Sequence, residues 1–269
     1  MKFFYISAPF AACRSFTAGW YRPTAPFLTP SAIYGLILNV AGIESRLREE
    51  DPGHDGSVPS SLSQFDLPKV EIAIGVPASA HNGSGATSET EFPRVQSVYQ
   101  QLHNYPVGKE TGKHHVAACY GNKHNITPVR REFLSDVHAL VAMRGNLELE
   151  ERVVRGLNGE FNQERYGIPF LGDNSFLLDR FEELYEAPPT RWFERVTTET
   201  EGIKEHTSRL TIMIHRGDPS QTNSDLFAPT ESQIIPPTLA WIKIEPATTT
   251  IDSDQPQKRN SKKRTGDTS

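Results

Sequence analysis

The chain has 269 residues, a formal net charge of -5, 36% hydrophobic residues and two cysteines, Cys13 and Cys119. That length can bury a real core, in one large domain or two small ones. Two cysteines exclude a disulfide framework, no apolar run is long enough for a bilayer, and the net charge excludes indiscriminate nucleic-acid binding, so any such site has to be local.

In chain order, residues 2–10 alternate as a strand buried on both faces. The same stretch, MKFFYISAPFAAC, has the single lysine and short apolar run of a secretory signal, but the strand pattern fits better, and the cytoplasm is the expected location. Arg14, Trp20, Tyr21 and Arg22 follow in a basic, aromatic, proline-broken loop. Thr29-Pro30-Ser31 is a helix-start signal, and Ile33, Leu36, Ile37, Val40 and Ile43 recur at helical spacing, which predicts a helix over 30–49. After a polar stretch, Lys69–Val76 alternates as a strand. Residues 78–93 are rich in turn formers and read as a mobile loop tip. Residues 95–105 and 114–120 are β-prone and read as the arms of an extended hairpin. Val129–Met143 reads as a strand, Leu147–Leu157 as a short amphipathic helix, and Ser175–Phe181 as a last strand.

This order, strand–helix–strand–insertion–strand–helix–strand, predicts an α+β fold. Its core is a ferredoxin-like βαββαβ unit over 1–181, the arrangement also used by RNA-recognition modules. A smaller β region over 182–245 contains Arg209–His215 and Leu239–Glu245, and a polar tail at 246–269 reads as disordered. Charge is segregated along the chain. Between Arg94 and Arg131 lie six lysines and arginines and four histidines, while acidic residues collect at 148–151, 182–186 and 194–205.

Four segments carry a resemblance. They are Pro9-Phe10-Ala11 with Arg14; TPSAIYGLILNVAGIE from Thr29 to Glu44; PVRREFLSDVHALVAM from Pro128 to Met143; and RYGIPFLGDNSFLLD from Arg165 to Asp179. Together, over roughly residues 1–180, they resemble the Cas-five family, the RAMP-type subunit of the type I CRISPR surveillance complex, Cascade. The fourth segment is most similar to the DevS-like branch. The resemblance implies a ferredoxin-like domain with a long β-hairpin thumb, which maps onto the insertion at about 77–127. It also implies a subunit that grips the five-prime handle of CRISPR RNA and caps the backbone filament. Its neighbours would be the backbone subunit and the large subunit, with target DNA reached through the complex and no membrane involved. Antiviral defence and RNA-guided targeting for another task both fit.

The candidate RNA contacts are Arg14, Arg22, Ser31 and Tyr34 around the first helix start, and Lys113, Lys123, His124, Arg130 and Arg131 in and after the insertion. Arginine offers a planar fork to phosphate, lysine a point charge, and a helix start offers free N–H groups. Each has a plainer reading: an ordinary helix cap, a core tyrosine, or a solvated charged face. His115, Cys119 and His124, with His103 and His114 nearby, are zinc-ligand types at a spacing that matches no compact zinc motif, so no metal and no cofactor is expected. Some members of the resembled family cut repeat RNA without metal, using a tyrosine, a lysine and a histidine. Tyr34, Lys123 and His124 supply those types, which makes a metal-independent endoribonuclease the alternative to a non-catalytic binder.

Overall fold

The computed structural model describes residues 1–14, 20–46, 67–81, 87–89, 91–106, 124–198, 204–215 and 219–246, with backbone alone for 79–81, 87–89, 102–106 and 124–127. Among the described residues, twelve strands and two α-helices follow one another as β1 (Lys2–Ala11), β2 (Tyr21–Arg22), α1 (Pro30–Val40), β3 (Val70–Pro77), β4 (Ser79–His81), β5 (Thr87–Glu89), β6 (Arg94–Pro106), β7 (His124–Arg144), α2 (Leu147–Leu157), β8 (Arg180–Leu184), β9 (Thr190–Arg195), β10 (Ser208–Met213), β11 (Asn223–Gln233) and β12 (Ile242–Ile244). The architecture is α+β: one ten-stranded sheet in the order β10-β11-β9-β3-β7-β1-β8, with β12 on β3 and both β2 and β6 on β7.

The middle of the sheet is β3-β7-β1-β8, antiparallel throughout, with α1 between β1 and β3 and α2 between β7 and β8. Strand alternation sends Phe4, Ile6, Ile72, Ile74, Ala139, Val141 and Met143 to one face. There they pack with Ile33, Leu36, Ile37 and Val40 of α1 and with Leu149 and Val153 of α2. On the other face Tyr5, Ala73, Leu140, Ala142, Trp192 and Ala240 form a second buried cluster. Both faces are covered, which is why β1 is apolar at nearly every position rather than alternating.

Thr29 caps α1 by accepting from the Ala32 amide at 3.3 Å, and Pro30 opens it. The helix stops at Val40, short of the expected residue 49, because the chain turns at Gly42, whose φ is 66°. Asn146 caps α2 by accepting from the Leu149 amide at 3.0 Å.

The structure differs from expectation at several further points. The second arm of the long hairpin is the first half of β7, which pairs with β6 from Arg94↔Ser135 to Pro106↔His124; residues 114–120 lie outside the described residues. The expected loop tip contains a small antiparallel pair, β4 with β5. The last central strand is β8, shifted beyond Ser175–Phe181, because the Asp173–Leu177 stretch turns back on itself through Phe176 N–H to Asp173 C=O and a Phe170↔Leu177 bridge. The strands of the C-terminal β region join the same sheet: β9 pairs with β3 at Gly75–Pro77 and β12 pairs with it at Val70–Ile72. The expected strand at 239–245 is β12 preceded by a 3-10 turn at Thr238–Ala240, and the tail from 247 on lies outside the described residues.

Candidate nucleic-acid interface

The basic loop after β1 returns to the sheet as β2, which runs parallel to β7 with Tyr21 opposite Arg130 and Arg22 opposite Arg131. The Arg130 amide donates to the Trp20 carbonyl at 2.7 Å. Glu132 fastens the loop from beneath: one carboxylate oxygen accepts from the Tyr21 hydroxyl at 2.6 Å and the other from the Thr24 amide at 3.3 Å. Because side chains alternate along a strand, Arg22 and Arg131 share one face, and Tyr21 and Arg130 share the other.

On the first face the loop after residue 170 closes over the end of β1. The Ala12 amide donates to the Leu171 carbonyl at 3.0 Å. Gly172 sits at φ 79°, and a Cβ there would lie 1.7 Å from the Ala12 carbonyl oxygen, so glycine alone fits. That close approach sets Asp173 between two arginines. Arg14 and Arg131 each bring an Nη2 to 3.4 Å from the same Asp173 oxygen, Oδ2, while Oδ1 accepts from the Ser175 amide at 3.2 Å. Arg131 is further held by donating from Nη1 to Gln100 Oε1 at 2.6 Å.

The electrostatics follow from this crowding. Burial works to raise the Asp173 carboxyl pKa, but hydrogen bonds from Ser175 and the charges of Arg131 and Arg14 outweigh it and hold the group below its ordinary value. Burial and the neighbouring Arg131 charge, with a smaller push from Arg22, lower the Arg14 pKa against the pull of Asp173. Three guanidiniums therefore converge where one carboxylate answers them. The Nε atoms of Arg14, Arg22 and Arg131 are buried with no hydrogen-bond partner among the described residues. Buried donors of charged groups are rarely left unpaired, and a fork of such donors matches phosphate oxygens. Beside the arginines, Phe10, Phe133 and Phe176 form an aromatic trio with centroids 5.4 to 5.9 Å apart.

The opposite face is different in kind. Arg130 lies over the Tyr21 ring at 5.4 Å, next to Trp20 and Tyr99, which are 63% and 71% exposed. Its Nε is also buried and unpartnered among the described residues. This is a flat, cationic surface of the sort that stacks bases.

Of the residues expected to touch RNA, Arg14, Arg22 and Arg131 come together, and Arg130 is turned to the reverse side. Ser31 is not the helix cap, a role Thr29 fills; it lines a cavity of about 560 Å³ whose wall includes Arg14. Tyr34 matches its plainer reading as a core tyrosine: it is 4% exposed, its hydroxyl donates to the Pro68 carbonyl at 2.7 Å, and burial pushes its pKa far up. Lys113 and Lys123 lie outside the described residues, as do His114, His115 and Cys119. His124 is described by its backbone alone, opposite Pro106. Asp173, the residue that organises the cradle, is not among the residues expected to touch RNA. Its signal is the glycine- and proline-punctuated loop of Gly167, Gly172 and Asp173, which in sequence reads either as a phosphate-approach loop without a Walker or dinucleotide pattern or as a structural turn.

A family model described as CRISPR-associated protein (Cas_Cas5) matches residues 4–239. The chain belongs to this family. The matched span runs from β1 to the turn before β12 and includes Arg14, Arg22, Arg131 and Asp173. No curated protein matches the chain in sequence. Among solved structures, it is similar to a chain of a "CRISPR RNA-guided surveillance complex", with 13% identity, a TM-score of 0.48 and coverage of 86% of this chain and 90% of that one. A second, titled "Crystal structure of Cas protein", has 15% identity, a TM-score of 0.36 and coverage of 87% and 94%.

Proposed function

We propose that this member of the Cas_Cas5 family is a non-catalytic subunit of a type I CRISPR surveillance complex that grips the five-prime handle of CRISPR RNA. The observation that carries the reading is the cradle in which Arg14 and Arg131 pair with Asp173 beside Arg22, with Nε donors unpaired among the described residues. Family membership supplies the class of ligand, and the cradle supplies the chemistry to hold its phosphates. The central strand order β3-β7-β1-β8, with one helix after β1 and one after β7, supports a ferredoxin-like core. The β6–β7 hairpin takes the part of the thumb that bends over the handle, presenting Tyr99 and Arg130 beside Trp20. The RYGIPFLGDN segment, which forms the Asp173 loop, supports the DevS-like branch. The partners on this reading are the backbone and large subunits, in defence or in another RNA-guided task.

The buried Tyr34 hydroxyl supports binding over cutting, since an acid or base for RNA cleavage has to reach the ribose. Anisotropy titration of handle-containing RNA at several salt concentrations tests the proposal. Arg14→Ala with Arg131→Ala weakens binding and reduces the salt slope by about 0.7 for each phosphate no longer neutralised. An unchanged affinity and slope overturns the site.

A further inference from the structure

The β6–β7 hairpin leaves the sheet through one root on each strand. The inner part of β7 runs between β1 and β3, and the β3 pairing ends at Gly75↔Leu140. The pairing with β6 begins at Arg94↔Ser135. Between these two pairs β7 has β1 alone beside it among the described strands, and that register passes over Pro9 and Asp136. Asp136, at this root, has a φ of 59°. The other non-glycine residue with a positive φ among the described residues is His206, at 57°. It stands at the second root, where it stacks on Phe92, two residues before β6, at 4.4 Å. Arg191 lies over Phe92 at 4.3 Å, and Phe193 meets it edge-on at 6.0 Å. Aspartate and histidine take this backbone shape more often than most residues, yet it stays uncommon and persists where the surroundings over-determine it. The surroundings of Asp136 do so. Its Oδ1 lies 3.1 Å from His138 Nε2, and His138 Nδ1 lies 2.7 Å from the Tyr5 hydroxyl. A carboxylate only accepts, so Nε2–H donates to Asp136, and with the ring proton so placed Nδ1 accepts from Tyr5. Tyr5 is 1% exposed, so two hydrogen bonds tie the exposed Asp136 side chain to a core residue of β1.

We propose that Asp136 is a positioning residue. Through His138 and Tyr5 it holds the bend in β7, while Phe92, stacked on His206, holds the root of β6, so the direction of the hairpin is set in the free protein. The lever is long. At the usual rise of a strand the Gln101↔Pro128 pair lies about 27 Å out from Asp136, so a swing of about 20° at the root moves it by about 9 Å. Arg130 and Arg131 lie on that arm, between the bend and the pair. A hairpin aimed beforehand has less freedom to lose when a ligand arrives. The aim is a property of the free chain, and only its benefit to RNA rests on the cradle reading.

Double electron–electron resonance on the full chain tests this. Nitroxides are placed at Gln101→Cys on the hairpin and Tyr185→Cys on the body, both exposed positions, with Cys13→Ala and Cys119→Ala in the background. That background is expected to give one narrow distance, which handle-containing RNA leaves in place. Asp136→Asn keeps both the backbone preference and an acceptor oxygen, and keeps the distance. Asp136→Val removes both at an exposed position, and shifts or broadens the distance by about 5 Å or more. His138→Ala cuts the tie to Tyr5 without touching residue 136 and broadens the distance too. An unchanged distance in Asp136→Val overturns the positioning role; should that variant not fold, an unchanged distance in His138→Ala does so. A background distribution that is already broad, or that RNA moves as far as the valine does, also overturns it. If the distances change as expected while no protein binds the RNA, the hairpin is aimed as proposed and the cradle reading falls.

Discussion

Arg14 and Arg131 reach the same oxygen of Asp173, each at 3.4 Å, from the end of β1 and from the first half of β7. Two cations that would repel one another are thereby held side by side within reach of the Arg22 charge, and among the described residues Asp173 is the acid that pairs with both. On the proposed reading this arginine pair is the anion site, and one acid holds it together.

Replacing that acid separates the cradle's two roles. Asp173→Asn leaves the arginines uncompensated, and unfolding by urea is expected to show a loss of about 1–3 kcal/mol, the usual cost of leaving a buried charged group without its partner. Because the defect is repulsion between cations, added phosphate or RNA restores more stability to the variant than to the wild type. Equal gains in the two proteins would count against a cationic cradle.

The same residue sets an acid limit. The Asp173 carboxyl is held below its ordinary value, so its stabilising contribution is fully present above the unfolded-state pKa and is lost as pH falls through the lower folded-state value. Wild type and Asp173→Asn should differ in stability at neutral pH and converge below about pH 4, the ordinary aspartate range. A difference that does not shrink as pH falls below the ordinary aspartate range would show that charge is not what the substitution removes.

Arg130 and Arg131 are neighbours in sequence but lie on opposite faces of β7. Arg131→Ala is expected to lower RNA affinity and the salt slope together, by about 0.7 in slope for one phosphate. Arg130→Ala gives up its place over the Tyr21 ring and changes stacking on the Trp20–Tyr99 side. Its effect is therefore matched by Tyr99→Ala and is not additive with it. Salt-dependent anisotropy on the wild type, the three single variants and the Arg130–Tyr99 double variant distinguishes the two faces.

Gly172→Ala should be among the more damaging single changes. The new Cβ meets the Ala12 carbonyl at 1.7 Å and the backbone keeps a left-handed φ. Strain and overpacking together predict about 2–4 kcal/mol, read as a fall in Tm, with RNA affinity falling because Asp173 is displaced.

Tyr34→Phe tests the buried tyrosine. It loses one buried hydrogen bond, to the Pro68 carbonyl, and about 1 kcal/mol of stability. RNA affinity should stay unchanged, and repeat RNA incubated with wild-type protein in EDTA should stay intact. Discrete cleavage products that vanish in the variant would favour the endoribonuclease reading over the binder.

Much of the frame was legible because it is written locally. The Thr29-Pro30 start and the apolar spacing of α1, the alternation of Lys69–Val76 and Val129–Met143, and the amphipathic pattern of α2 all act within a few residues of themselves. The strands β2, β9 and β11 were not legible: YR is too short to show a period, and TRWFER and NSDLFAPTESQ mix charges with apolar residues because their partners, not their patterns, hold them in the sheet. The helix end at Val40 was missed because Ile43 continues the apolar period past Gly42. Of the site, the cationic residue types near Arg14 and Arg131 were visible, while their division between two faces became definite with the β6–β7 register.

The order of residues alone determined that an acidic chain keeps a local supply of arginines and aromatic rings beside a well-capped helix, since composition, caps and periodicity are properties of neighbours along the chain. Tertiary structure decided which of them act together. Asp173 meets Arg14 and Arg131 through the close approach of Gly172 to Ala12, and Tyr34 is taken into the core by the carbonyl of Pro68. Each of these depends on distances between segments far apart in the chain, which no local pattern encodes.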